Sequence, residues 1–254
     1  MFRALVLLLT TIVVWCTTSV LQCYAQDVQF ITENLAPLAF KEDQKLVGYD
    51  VELLALVWKR MGQPPKNIKV QPWARSITTF ESETPTCIFP VALTAARKRQ
   101  SRYVATPALF EPVLIAHKDD APHIMRSKKK LLTTPICVPA YSSYIQTLYT
   151  YGFRRHYMDF SASLISSVRK FKKRRAPLMG GSKTILLYNY KQLGGLTSDL
   201  EVVWSAPHIS GGFLFNHAVS DEYVQRFKKA LDYVRTTKAH TKIFNKYLHY
   251  PLSK

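Results

Sequence analysis

Strand-like and helix-like segments alternate along this 254-residue chain, and this alternation limits the available folds more than any other feature of the sequence. From Asp27 onward the pattern is strand, loop, helix, strand, helix and strand, and it ends in the apolar run at residues 87–93. Such alternation is typical of α/β proteins in which helices cover a parallel sheet. Ligands of such sheets bind at the carboxyl ends of the strands.

The first predicted helix follows a turn at Gly48, and Asp50 can cap its start. One apolar stripe runs along this helix, which ends at Gly62. The stripe consists of Val51, Leu54, Val57, Trp58 and Met61.

A second alternating series begins near Thr134, and the C-terminal segment that follows it has helical periodicity. The sequence therefore predicts an α/β protein of two lobes, each a mostly parallel sheet flanked by helices, with two hinge crossings between them. The predicted boundaries are 27–107 and 212–254 for lobe 1, 113–206 for lobe 2, and about 108–112 and 207–211 for the hinges.

The first 25 residues have the pattern of a secretory signal peptide. A short positive start, MFR, precedes the apolar stretch ALVLLLTTIVVW, and Cys23-Tyr24-Ala25 forms a small-x-small cleavage pattern before Gln26. An uncleaved membrane anchor is the weaker alternative, because the apolar stretch is short and contains two threonines. We therefore predict export to the periplasm with residues 1–25 removed.

Residue spacing argues against several other kinds of site. Cys87 and Cys137 lie in apolar strand-like runs, so we expect buried thiols rather than a disulfide. The seven histidines show no HxH or HExxH spacing, and we expect no metal site. The stretch GGSKT at 180–184 has the wrong spacing for a phosphate-binding loop. No cofactor is predicted.

The apolar run at 87–93 ends in Thr94, and Arg97 follows three residues later. A threonine here can cap a short helix by accepting a bond from a free backbone N–H, which would leave Arg97 as a solvated residue of the first turn. Alternatively, the paired donors of the guanidinium can bind a carboxylate beside the free N–H groups of the helix start. Both interpretations fit these residues.

A set of ordered motifs resembles the periplasmic solute-binding proteins of the polar amino-acid type, extracellular solute-binding protein family 3, which deliver small molecules to ABC importers. The motifs are APLAF, VGYDVELL, PWAR, FPVALTAAR, KALDYVR and IFNKYL. This resemblance covers the chain from Asp27 to its end and implies a type II periplasmic-binding fold. In that family the threonine and arginine of a T-x-x-R element lie at the cleft, and the arginine binds the ligand's α-carboxylate. The resemblance thereby implies ligand contacts for Thr94 and Arg97.

Further cleft residues of lobe 1 follow from the same resemblance. Trp73 and Arg75 belong to the PWAR motif, and Arg75 would be a second cation at the cleft. Trp73 fits the core as well as the cleft wall. Glu33 in the first loop and Ala92 before the T-x-x-R element complete the predicted set for this lobe.

The resemblance implies a different set in lobe 2. Gly181 stands where family members that bind α-amino acids carry an aspartate for the ligand's ammonium group, so the recognition set for an α-amino acid is incomplete. Tyr141, Ser142 and Ser143 offer hydroxyls and backbone donors to a ligand, or they form a loop that caps the next helix.

The predicted function is non-catalytic binding of a small carboxylate-bearing molecule by a monomer, for uptake or sensing. An ABC permease or a membrane sensor is the implied partner. One alternative is a lyase-like enzyme on the same scaffold, which needs a general acid or base in the cleft. The predicted cleft has Glu33 as its one carboxylate and no histidine, so this alternative is disfavoured.

A second alternative follows from the charge of the chain, formally +18 at pH 7. From residue 119 to residue 206, fourteen Lys or Arg and five Asp or Glu give +9, with clusters at 128–130 and 169–175. Such clusters suggest a protein that binds an envelope polyanion, although charge runs are more often solvated helix faces. Nucleic acid is not an expected partner of an exported protein.

Overall fold

A computed structural model describes residues 26–140 and 144–248 of the chain. The predicted signal peptide, residues 1–25, lies outside the described residues. The described chain forms two five-stranded sheets with flanking helices, together with a two-stranded hairpin. None of its helices is both long and apolar enough to cross a membrane.

The strands of the described chain are short, and we number them in chain order. They are β1 (Gln29–Thr32), β2 (Phe40–Glu42), β3 (Lys45–Val47), β4 (Ile68–Val70), β5 (Thr86–Ala92), β6 (Arg102–Phe110), β7 (Pro112–His117), β8 (Ile136–Pro139), β9 (Met158–Ser161), β10 (Leu178–Ser182), β11 (Leu200–Ser205) and β12 (Ile209–Phe215).

The helices of the described chain are numbered in the same way. They are α1 (Tyr49–Arg60), α2 (Trp73–Phe80), α3 (Ala95–Gln100), α4 (Ala121–Met125), α5 (Lys128–Thr133), α6 (Tyr144–Thr150), α7 (Leu164–Lys172), α8 (Lys183–Gln192), α9 (Asp221–Val234) and α10 (Lys238–Leu248). Two short 3₁₀ turns, Arg155–Tyr157 and Thr197–Asp199, precede β9 and β11.

The two large sheets have matching strand directions. The first has the order β4-β1-β5-β12-β6, and the second has the order β11-β7-β10-β8-β9. In the first sheet only β12 runs against the other strands. In the second sheet only β7 does so. The prediction of two mostly parallel sheets flanked by helices is therefore confirmed.

The chain passes between the sheets twice, through very short segments. Glu111 alone separates β6 from β7, and residues 206–208 separate β11 from β12. Much of the extended joins expected near 108–112 and 207–211 is strand, because Leu109 pairs with Ser210 in the β6–β12 ladder. The backbone groups of those residues are thus held by sheet hydrogen bonds.

Helix α1 does not begin as the sequence suggested. We expected Asp50 to cap it, but the N-cap is Gly48 and Asp50 lies in the first turn. Gly48 has φ 128°, and a side chain there would clash with the carbonyl of Leu38, so a glycine is needed. Asp50 is buried, and its carboxyl oxygens have no hydrogen-bond partner among the described residues.

Aromatic side chains dominate the core beneath the first sheet. The Phe30 ring packs edge-on against Trp58 at 5.0 Å between centroids, and Phe227 packs against Phe213 at 5.0 Å. Edge-to-face packing of this kind adds about 0.5–1.5 kcal/mol per pair to the gain from burial. The predicted apolar stripe of α1 contributes Trp58 to this core, together with its buried neighbours Leu54 and Val57.

Helix α8 belongs to the second half of the chain but also contacts the first. Its residues Ile185 and Tyr188 join the apolar cluster of the first sheet, and the Tyr188 ring lies 5.6 Å from that of Phe40. The Asn189 side-chain amide donates to the carbonyl of Ala36 at 3.1 Å. Helix α8 therefore connects the two halves of the chain on one side of the molecule.

Cys87 and Cys137 are free and buried, as their apolar surroundings predicted. Cys87 lies in β5 of the first sheet, and Cys137 lies in β8 of the second. Burial raises the pKa of the Cys87 thiol well above its usual range, which favours the unreactive thiol form.

The buried carboxyl of Asp50 should make stability depend on pH. Burial raises its pKa to about 8, whereas an unfolded chain has a value of about 4. Between these values the folded state keeps a proton that the unfolded state releases. Stability should therefore fall as pH rises from about 4 to about 8, by up to about 1.4 kcal/mol per pH unit. Asp50→Asn should remove this dependence in urea unfolding at pH 5 and pH 8.

Asp43→Asn is the matched control for the Asp50 variant, because Asp43 is exposed in the β2–β3 turn. This variant should show the same dependence of the free energy of unfolding on pH as the wild-type protein. The same dependence in Asp50→Asn as in the wild type would contradict the assignment to Asp50.

The buried side chain of Asn216 should be a large contributor to stability. Its amide donates to three backbone carbonyls in the segment 80–84, and its oxygen accepts the N–H of Thr86 at 3.0 Å. Asn216→Ala should lower the free energy of unfolding by about 2–4 kcal/mol, because buried backbone groups lose their partners. Asn245→Ala, at an exposed site, should change it by less than about 0.5 kcal/mol.

Candidate functional site

A cavity of about 440 Å³ lies between the two sheets. The first-sheet half of the chain contributes one wall, formed by residues 33–35, 72–74 and 90–92 with Arg97, Phe110 and Ile209. The other wall comes from the second-sheet half and consists of Pro112, Pro139, Tyr144, Thr147, residues 162–164, 181–182 and Ile185. We refer to these as the first wall and the second wall.

Strand ends supply most of both walls. On the first wall, residues 33–35 follow β1, 72–74 follow β4, and 90–92 end β5. On the second wall, residues 162–164 follow β9, and 181–182 end β10. The carboxyl ends of both sheets thus meet at the cavity, as expected for ligand sites of such sheets.

Arg97 is held in place by its own strand-to-helix turn. Thr94 caps α3, and its hydroxyl accepts the backbone N–H of Arg97 at 3.4 Å. The guanidinium Nη1 donates to the carbonyl of Ala92 at 2.8 Å and lies over the Trp73 ring, 4.9 Å from its centroid. Among the described residues, this carbonyl is the hydrogen-bond acceptor of the guanidinium. The other N–H groups of the guanidinium therefore remain to bind a ligand.

Glu33 shares the first wall with Arg97. Burial raises the pKa of the Glu33 carboxyl, and the positive charge of Arg97 opposes part of that rise. Burial also lowers the pKa of Arg97, and the charge of Glu33 opposes that change. The two groups interact electrostatically, but within the described chain no ion pair joins them at 4.0 Å or less.

The other predicted residues of the first lobe fall into two groups. Trp73 and Ala92 line the cavity, and Trp73 also packs on the apolar cluster around Ile31, so it is both core and wall. Arg75 is exposed and does not line the cavity. Successive helical residues are about 100° apart, so a residue two positions after Trp73 points to the opposite side of α2. Thr94 caps α3 and is likewise not a lining residue.

Gly181 lines the second wall through its backbone. A side chain there would point at Leu186, whose Cδ2 would lie 3.2 Å from the added Cβ. Leu186 is fully buried in the core beneath the second sheet. The sequence predicted that the glycine lies at the cavity, but only the structure shows where a side chain at this position would point. The predicted contacts Tyr141, Ser142 and Ser143 lie outside the described residues.

Three aliphatic hydroxyl groups also belong to the described second wall, those of Thr147, Ser163 and Ser182. Ser163 caps α7, where its oxygen accepts the N–H of Ser166 at 3.2 Å. Ser182 occupies the N-cap position of α8 but makes no capping bond, and its buried hydroxyl has no partner among the described residues. A polar group in this state is available to bond after a small movement.

Several wall residues were not identified from the sequence. Phe110 and Ile209 lie at the two crossings and are paired in the β6–β12 ladder, which the sequence pattern did not reveal. Ser163 follows β9, a four-residue strand too short to give a clear alternation. A search for Ser or Thr directly after each apolar run would have found Ser182.

The cavity contains few titratable groups. Its described lining includes Glu33, Arg97 and Tyr144, and no histidine or cysteine. The Tyr144 hydroxyl donates to the carbonyl of Val113 at 2.7 Å, and burial raises the pKa of this phenol. Among residues 26–140 and 144–248, no group of three or more His, Cys, Asp or Glu side chains is arranged to hold a metal ion.

Comparison with protein families gives one match. The model of bacterial extracellular solute-binding proteins, family 3, matches residues 28–250. No curated protein sequence matches the chain significantly.

Solved structures share the fold at low sequence identity. A histidine kinase sensor domain with similarity to periplasmic binding proteins is 15% identical, with a TM-score of 0.74 over 88% of this chain and 97% of its own. The glutamate-bound GluR0 ligand-binding core from Nostoc punctiforme is 13% identical, with a TM-score of 0.72 over 88% and 100%. An ancestral amino acid-binding protein, a precursor of cyclohexadienyl dehydratase, is 15% identical, with a TM-score of 0.70 over 87% and 94%.

Proposed function

The chain belongs to the bacterial extracellular solute-binding proteins of family 3, and we propose that it binds a small carboxylate-bearing molecule in the cavity between its two sheets. Arg97 is proposed to hold the carboxylate. Glu33, Trp73, Ala92 and the backbone of Gly181 line the space that the rest of the ligand would occupy.

The observation that carries this proposal is the preorganised guanidinium of Arg97. Its bond to the Ala92 carbonyl and its contact with the Trp73 ring fix its plane before any ligand arrives. A fixed guanidinium can give two parallel hydrogen bonds to a carboxylate, and such charge-assisted bonds are about twice as strong as neutral ones. The partial burial of Arg97 reduces the screening of that interaction by solvent.

Binding is proposed to bring the two lobes together. The cavity takes its walls from both halves of the chain, and the chain crosses between them at Glu111 and at residues 206–208. A ligand that contacts both walls would therefore favour the closed arrangement over an open one. We propose that an ABC permease or a membrane sensor reads this closure outside the cytoplasm, and that the protein acts as a monomer.

The titratable groups of the cavity favour binding over catalysis. A general acid and a general base need two groups positioned at the reacting atoms. The described lining has Glu33 as its one carboxylate and has no histidine. We therefore propose a receptor rather than a lyase.

The role of Arg97 can be tested with ligand-stripped protein and a panel of small mono- and dicarboxylates, their amides and the twenty amino acids. A ligand at a hundredfold excess over its dissociation constant should stabilise the fold by about 2.7 kcal/mol in thermal unfolding. Arg97→Ala should weaken binding of every carboxylate hit by 30-fold or more, since a lost charge-assisted contact of this kind is worth about 2–5 kcal/mol. Calorimetry would measure the change.

Arg75→Ala is the matched control, because Arg75 is a nearby helical arginine that lies outside the cavity wall. It should leave the affinity within about threefold of the wild-type value, roughly 0.6 kcal/mol. A carboxylate that binds Arg97→Ala as tightly as wild type, or an amide that binds as tightly as its acid, would refute the proposed contact.

A further inference from the structure

In the described lining of the cavity, charged side chains lie on only one side. Arg97 and Glu33 both belong to the first wall. The described second wall consists of apolar side chains, hydroxyl groups and glycine backbone, without a charged residue.

Building on the proposed function, we propose that the cavity selects an apolar carboxylate that has no amino group. The class comprises aryl-substituted and branched alkyl carboxylates. The α-amino acid of the same carbon skeleton is excluded.

The missing counter-charge on the second wall is the first argument. In an α-amino acid the ammonium group is one carbon from the carboxylate, so a carboxylate at Arg97 places the ammonium in the same cavity, where Glu33 is the one carboxylate of the described lining. The side-chain acceptors of the described second wall are neutral hydroxyl groups, among them those of Thr147, Ser163 and Ser182. An ammonium removed from water without an opposite charge loses far more affinity than neutral hydroxyls restore.

Glu33 does not replace that counter-charge. It lies on the same wall as Arg97, and the two charges already interact. Burial raises the pKa of Glu33, while the charge of Arg97 opposes part of that rise. The one carboxylate of the described lining therefore interacts with Arg97 before any ligand enters. An ammonium group would have to compete with the guanidinium for it.

The shape and lining of the cavity supply the argument for an apolar body. Trp73 and Phe110 on the first wall face a space that Leu164 and Ile185 close from the second wall. Its volume of about 440 Å³ is in the usual range for sites that enclose small organic ligands. A ring or branched chain would displace water from these side chains, which is favourable.

Two matched pairs of ligands test the proposal on the wild-type protein. They are 3-phenylpropionate with L-phenylalanine, and 4-methylpentanoate with L-leucine. Each pair has one carbon skeleton and differs only in the amino group. We expect at least one of the two acids to bind, about 100-fold more tightly than its amino acid, as measured by calorimetry.

Each outcome on the wild-type protein has a defined meaning. Equal or tighter binding of the amino acid in a pair overturns the selectivity. Binding of neither acid overturns the apolar class, while the proposed carboxylate receptor is judged separately by the wider panel and Arg97→Ala. Equal binding of 3-phenylpropionamide and 3-phenylpropionate would instead refute the carboxylate contact and with it the proposed function.

A charge added to the second wall tests the physical reason. Ser182 lines that wall at the N-cap position of α8, where both aspartate and asparagine are well tolerated. Ser182→Asp should raise the affinity for the amino acid, relative to that for the matched acid without the amino group, by at least tenfold. Ser182→Asn, which has the shape of the aspartate without its charge, should leave this ratio unchanged. Equal ratios in the two variants would overturn the missing counter-charge as the cause. Thermal midpoints would verify that both variants fold.

Glu33→Gln is the remaining variant that tests the proposal. The proposal expects the acids to bind this variant as well as wild type or more tightly, because a negative neighbour of the ligand carboxylate is gone. Loss of binding in this variant would show that Glu33 contacts a positive group of the ligand, which would overturn the proposal.

Discussion

The short crossings between the sheets are the constraint on which the rest of the structure depends. With one residue between β6 and β7 and three between β11 and β12, the sheets cannot separate widely. The two crossing strands of the first sheet are also paired with each other, Phe110 with Ile209 at their ends. The carboxyl ends of both sheets therefore meet across a narrow gap, and the strand-end residues become the walls of one cavity.

The electrostatics of the cavity follow from which elements reach that gap. A six-residue helix capped by Thr94 places Arg97 beside the carbonyl of Ala92, where β5 ends. The loop after β1 brings Glu33 to the same wall. The strand ends and helices of the second half present hydroxyls, glycine backbone and aliphatic carbon. A chain with a formal charge of +18 thus places one cation and one carboxylate in its described cavity lining, and most of its charge lies elsewhere.

Helix α8 connects this cavity to the larger core. Ser182 at its start and Ile185 in its first turn line the cavity, while Tyr188 packs against Phe40 of the first half. The bond from Asn189 to the carbonyl of Ala36 adds a polar contact on the same side. Any relative movement of the two halves would have to rearrange these contacts, so α8 links the state of the cavity to packing beyond it.

The sequence alone determined the two βα series and the position of the main candidate residues at strand ends, because these follow from local periodicity and from the short-range bonds of helix caps. It also identified the buried thiols. The predicted helix cap at Asp50 was wrong, because the close approach of the Leu38 carbonyl requires a glycine at the N-cap, position 48. The sequence also did not show the extent of β6 and β7, because their residues form strands by pairing with distant residues.

Only the tertiary structure decided which side chains share the cavity. Helical rotation places Trp73 at the wall and turns Arg75 to the surface, although both belong to one motif. Strand direction points any side chain at position 181 toward Leu186. Local sequence can place a residue at the end of a strand, but the cavity is formed by contacts between segments more than a hundred residues apart, and those contacts depend on the packing of the whole chain.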